Sequence, residues 1–214
     1  MSYRAPISLP PSRADLAVAK ACSRHVTPAL ERTLRTLTWA ADEKVILAGT
    51  AAFWAATRTA HCQDSTKRRA DHMLAGAVVA SALPHLFKLI VRRRRPDRTV
   101  VHRNRHGIRH SGKAWDSFPS GHALHLGALA RDLHALSSPG LRPLVWSALA
   151  GLAMSRVLLL AHYPSDVLGG LAVGAAIDGA VASVIGDQGS AIRDRAGIRH
   201  QASGIRDQLL ICDT

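Results

Sequence analysis

Apolar residues gather in five runs separated by charged stretches. Residues 45–57 form the first, VILAGTAAFWAAT, which extends back toward Leu37 only by taking in Asp42, Glu43 and Lys44. Residues 73–91 form the second, close to membrane-spanning length, ending on Lys88 and the run Arg92 to Arg95. Residues 122–136 are apolar as far as Ala130 and then carry Arg131, Asp132 and His134. Residues 143–161 hold one arginine, and residues 167–186 are rich in Gly and Ala with Asp178 inside. Alternation of period two is nearly absent, so the pattern predicts an all-α fold. It predicts an integral membrane helical bundle of about five spans, with Gly169, Gly170, Gly174 and Gly179 as places where helices approach closely.

The flanks differ from this centre. Residues 1–36 read as an amphipathic N-terminal segment with short helices over Asp15–Arg24 and Ala29–Arg35, suited to a membrane surface. Residues 37–186 form the expected membrane-embedded domain. Residues 187–214 form a polar tail with a loose repeat at Ile192, Ile198 and Ile205, too short for a solenoid.

Composition narrows the class. Hydrophobic residues make up 47%, which excludes disorder, and 28 Lys and Arg against 15 Asp and Glu give a net charge of +13. Such charge calls for a polyanion. Nucleic acid is one, suggested also by Lys67-Arg68-Arg69, but aromatic residues are only 4% and the arginines sit at the ends of apolar runs, where anionic lipid is nearer. Cys22, Cys62 and Cys212 have neither disulfide-framework nor zinc spacing. The first twenty residues contain three prolines and no apolar h-region, so no cleaved export signal is expected. His102, His106 and His110 recur every four residues, but Gly107 interrupts them and no carboxylate or thiol accompanies them, so no metal is expected there.

Three segments place polar groups where an apolar helix starts or ends. Lys88 and Arg95-Pro96 come first. If the helix runs on to Arg95, the two cations share a face two turns apart, with Arg92 beside them. In Ser117-Phe118-Pro119-Ser120-Gly121-His122, Ser120 is a plausible N-cap and Gly121 leaves backbone N–H groups uncovered for an anion, beside His122. The third is Ser155-Arg156, then His162, then Asp166. A buried arginine in an apolar helix needs a polar cavity, and a carboxylate one turn from an imidazole can reach its nitrogen. His125 and Asp178 stay open between core contacts and a pathway role.

Helices that cross and return would bring all three segments to one face. Three cations, an open helix N-terminus, two histidines and a carboxylate at one end of a bundle repel one another unless an anion joins them. A phosphate supplies it.

These segments resemble the type-2 phosphatidic acid phosphatase superfamily, whose pattern is Lys, six residues, Arg-Pro; Pro-Ser-Gly-His; and Ser-Arg, five residues, His, three residues, Asp. The match falls on Lys88, Arg95 and Pro96, on Pro119 to His122, and on Ser155, Arg156, His162 and Asp166. The resemblance implies a metal-independent phosphatase with no cofactor, and a bacterial-type membrane member. It makes His162 the nucleophile that becomes a phosphohistidine, with Asp166 on its other N–H, and His122 the general acid. Lys88, Arg95, Ser120, Gly121 and Arg156 would bind the phosphate. Implied partners are a lipid phosphate substrate and membrane lipids, with no nucleic acid; phosphatidate, phosphatidylglycerol phosphate and polyprenyl phosphate or diphosphate are all candidate substrates. Soluble acid phosphatases and vanadium haloperoxidases share the pattern and are the alternative. By resemblance the protein lies in the plasma membrane with its site outward, although nine Lys and Arg over residues 92–113 argue for the opposite side. Arginines recruited for phosphate weaken that argument.

Overall fold

The computed structural model describes residues 7–100 and 114–185. The three-histidine loop and the polar tail lie outside the described residues. Helices α1 (Arg13–His25) and α2 (Pro28–Thr38) precede α3 (Glu43–Thr59), α4 (Asp64–Ile90), α5 (Gly121–Leu136), α6 (Arg142–Leu158) and α7 (Pro164–Ile185). Each apolar run of the sequence thus becomes one helix, and the two amphipathic helices fall where the sequence places them. A two-residue parallel pair, β1 (Ile7–Ser8) with β2 (Val91–Arg92), is a small addition to the expected all-α fold.

Two of these helices, α4 and α7, are long and apolar enough to cross a membrane. The helices α3, α5 and α6 have 17, 16 and 17 residues, a rise of about 25 Å each. Apolar side chains face outward as well as inward: Val78, Val79, Leu86 and Leu89 of α4 and Leu168 and Val184 of α7 are all exposed. An apolar exterior of this extent marks a surface that meets something other than water. The four tryptophans, all exposed, reinforce it: Trp39 and Trp115 lie at one end of the bundle, Trp54 and Trp146 toward the other.

The pair α5 and α7 is packed at backbone distance. A methyl group on Gly174 would stand 2.1 Å from the Leu124 carbonyl oxygen, and one on Gly127 would stand 2.4 Å from that of Leu171. Gly170 is similarly closed, at 2.6 Å from the Ser120 carbonyl oxygen. Gly179 departs from the expectation, since nothing lies within 4 Å of its added methyl. Five residues past Gly174, it falls on a different face of α7. His122 on α5 and His162, two residues before α7, line one small cavity at this end of the pair.

At the opposite end, about 24 Å along α4 from Lys88, a buried polar group ties α4, α5 and α7. His72 Nδ1 lies 2.5 Å from Asp132 Oδ2, and its Nε2 lies 3.1 Å from the Asp178 carbonyl oxygen. Arg69 donates to Asp132 at 3.1 Å, and Arg131 Nε pairs with Asp178 at 2.9 Å. Asp178 is therefore a core contact. Asp132 Oδ1 and Asp178 Oδ2 each carry a guanidinium, so the group is an ion-pair network. Asp132→Ala would strand Arg69 and His72 and is expected to destabilise the fold by about 3–5 kcal/mol. Thermal unfolding in detergent checks this; an unchanged melting temperature would mean the network contributes no stability.

Candidate active site

The helix α4 stops at Ile90, short of the expected continuation to Arg95. Residues 91–95 are instead extended. The Arg93 N–H donates to the Trp115 carbonyl at 3.0 Å, the Arg95 N–H to that of Ala114 at 3.1 Å, and the Ser117 N–H to that of Arg93 at 3.2 Å. Successive side chains of an extended chain point to opposite sides. Arg92 accordingly lies over the Trp115 ring, 4.1 Å from its centroid, and Arg94 is exposed, while Arg93 is buried and Arg95 turns to the cavity. Lys88 and Arg95 reach the same cavity from a helix end and a strap, and not from one helical face.

On the other side α6 ends at Leu158, and Leu160 adopts a left-handed backbone with φ 52°. Such a conformation costs a leucine about 1–3 kcal/mol and is held by its surroundings. Leu160 is fully buried, and its carbonyl accepts the Asp97 N–H at 3.1 Å. The reversal carries the chain from Arg156, at the end of α6, directly to His162. The Ser120 hydroxyl caps α5, 3.5 Å from the Ala123 N–H.

Lys88, Arg95, Gly121, His122, Arg156 and His162 thus line one cavity, together with His125, Asp116, His85, Asp42 and Glu43. The three segments meet as the crossing topology requires. Ser120 is fully buried and outside this lining, and its hydroxyl caps the helix.

His162 is 4% exposed, and its Nδ1 lies 2.6 Å from the Ser117 carbonyl oxygen. A carbonyl can only accept, so Nδ1 carries the proton and Nε2 keeps its lone pair. Burial, with the Arg156 and Arg95 guanidiniums close by, holds its pKa well below the ordinary imidazole value. The ring is therefore held in its neutral form. The expected direct contact with Asp166 is replaced: the Asp166 carboxylate accepts from the Ser117 hydroxyl, from the Tyr163 N–H at 2.8 Å and from Arg93. Asp166 therefore grips residues on both sides of the imidazole and orients it through Ser117 and Tyr163.

Behind Asp166 stands a network whose partners the three motifs do not include. Arg93, 3% exposed, donates to Asp166, to Ser165 Oγ at 2.8 Å and to Asp15 Oδ2 at 2.7 Å, and lies over the Tyr163 ring. Asp15 comes from the first turn of α1, where it completes a capping box with Ser12. Burial alone would raise its pKa, but hydrogen bonds from Ser165 and Ser12 outweigh this and hold it at about 2. The Ser12-x-x-Asp15 spacing is a capping signal in the sequence, and nothing local in it marks the second use.

The comparisons with known proteins bear on this geometry. The family model of the PAP2 superfamily matches residues 72–190. This chain belongs to the PAP2 superfamily. Decaprenylphosphoryl-5-phosphoribose phosphatase of Mycobacterium tuberculosis is 39% identical over 122 residues, which take in 56% of this chain and 64% of that protein. Lipid A 1-phosphatase of Rhizobium johnstonii is 40% identical over 103 residues, or 46% of this chain and 40% of that one. The chain thus spans less than two thirds of the length of the curated relatives it matches. Aquifex aeolicus LpxE is similar in fold, with a TM-score of 0.58 at 15% identity over 78% of this chain and 94% of that one. So is the PAP2-type phosphatidylglycerolphosphate phosphatase of Bacillus subtilis, with a TM-score of 0.57 at 21% identity over 80% and 84%.

Proposed function

We propose that this protein is a membrane lipid-phosphate phosphatase that works through a phosphohistidine. One observation carries the reading: the free Nε2 of a neutral, buried His162 shares a cavity with three cations from three different elements. The relatives' names, phosphatases of a decaprenylphosphoryl phosphoribose and of lipid A, favour a lipid-linked phosphate. The outward apolar faces of α4 and α7 favour a membrane setting, with α3, α5 and α6 completing five spans and α1 and α2 at its surface.

In this reading Lys88, Arg95 and Arg156, with the Gly121 N–H, hold the nonbridging phosphate oxygens. His162 Nε2 attacks phosphorus, and the bond from phosphorus to the lipid alcohol oxygen breaks. His122 gives that oxygen its proton. The Ser117 carbonyl keeps the Nδ1 proton in place while the ring carries positive charge. A water then attacks the phosphohistidine, His122 takes its proton, and the P–N bond breaks to release inorganic phosphate and neutral His162.

The test is phosphate release by the purified protein from lipid phosphates and from a water-soluble ester. Release from the lipid phosphates is expected to resist EDTA, because fixed cations take the place of Mg²⁺, and to be inhibited by vanadate, which copies five-coordinate phosphorus. Loss of activity on chelation, restored by Mg²⁺, would overturn the mechanism, and preference for the soluble ester would overturn the lipid assignment.

A further inference from the structure

The cavity that gathers three cations is not positive throughout. Asp42 and Glu43, at the start of α3, form part of its wall, and neither belongs to the three motifs. Asp42 is half-buried, and one carboxylate oxygen caps the Lys44 N–H at 3.0 Å. Among the described residues its other oxygen takes no hydrogen bond. The carboxylate lies within electrostatic reach of His122 and of Arg156. Under the proposed mechanism, on which this inference rests, His122 protonates the departing oxygen. A negative charge beside His122 therefore stands on the leaving-group side of phosphorus.

That placement separates two substrate classes. When a phosphate monoester is cleaved, the departing group is a neutral alcohol, and a neighbouring hydroxyl could donate to the open Asp42 oxygen. When a diphosphate is cleaved between its phosphorus atoms, the departing group is itself a phosphate monoester and brings at least one negative charge to the same place. Like charges lining one partly desolvated cavity repel strongly enough to change rates by roughly tenfold to a hundredfold.

We propose that Asp42 is a specificity-determining residue that makes this site a hydrolase of lipid phosphate monoesters and turns away lipid diphosphates. The bond changes are those already given: the monoester P–O bond breaks, His122 supplies the alcohol proton, and water restores both the proton and His162. Asp42 selects what departs and takes no part in the bond changes.

The full chain in detergent is given a lipid monophosphate and the diphosphate of the same lipid, and kcat/KM is measured for each. Wild type is expected to favour the monophosphate by about tenfold or more. Asp42→Asn keeps an N-cap residue and removes the charge, and is expected to shift the ratio toward the diphosphate by about tenfold. Asp42→Ser, also a good cap, should shift it equally, while the exposed Glu43→Gln should shift it less. Equal use of both substrates by wild type would overturn the proposal. So would an unchanged ratio in both Asp42 variants with wild-type melting temperatures. If neither substrate releases phosphate, the phosphatase reading fails and takes this inference with it.

Discussion

His162→Ala is expected to abolish turnover, by about 10³-fold or more, while leaving the protein folded. Among the described residues the ring's one hydrogen bond is to the Ser117 carbonyl, at 2.6 Å, so its removal frees a carbonyl and opens a small space beside a cavity that already holds polar groups. What disappears is the lone pair that meets phosphorus. Two measurements separate this from a general loss of structure. The variant should still bind vanadate, because Lys88, Arg95 and Arg156 remain. It should also fail to take up label from a phosphate-labelled substrate, whereas wild type quenched during turnover should carry acid-labile label on a histidine. Turnover surviving at even a tenth of the wild-type rate would remove His162 from the nucleophile's role.

Arg93→Met should cost both stability and activity. The guanidinium is enclosed between Asp15 and Asp166, and replacing it leaves two buried carboxylates facing each other with no cation between them. Breaking a buried pair in this way costs about 3–5 kcal/mol. Activity should fall further than the folded fraction explains, by about 10²-fold, because Asp166 then no longer fixes Ser117 and Tyr163 around the imidazole. Arg93→Lys is expected to recover part of the stability and little of the activity, since an ammonium cannot fork between two carboxylates and a serine. Thermal unfolding and phosphate release on the same preparations decide it. A variant that melts with wild type and turns over normally would reduce this network to decoration.

The contrast between Arg93 and its neighbours shows where the sequence could be read and where it could not. The five apolar runs located their helices because membrane-length apolar segments have few other conformations. Motif residues at helix ends located the cavity because the helices alternate in direction. Four consecutive arginines, however, have no pattern of their own, and the choice of helix or strand decides which of them turn inward. A helical continuation groups Lys88, Arg92 and Arg95; the extended segment buries Arg93, aims Arg95 at the cavity and sends Arg92 to Trp115. Pro96, which disfavours helix in the residue before it, was the available hint. Asp166 was found by its spacing from His162, but its route to the imidazole through Ser117 and Tyr163 depends on a strap that pairs residues 93–95 with 114–117. Asp15 and Asp42 are N-terminal helix residues whose second roles require partners far along the chain, and no local pattern encodes those.

The Ser165 amide and hydroxyl both close on an Asp15 carboxylate that lies 150 residues earlier in the chain. A nascent protein leaving the ribosome therefore carries the first half of this latch long before its counterpart has been synthesised. Until α7 is in place, Arg93 lacks its second acid, Asp166, and the imidazole of His162 has no settled orientation. A half-inserted chain therefore lacks the oriented imidazole on which the proposed chemistry depends.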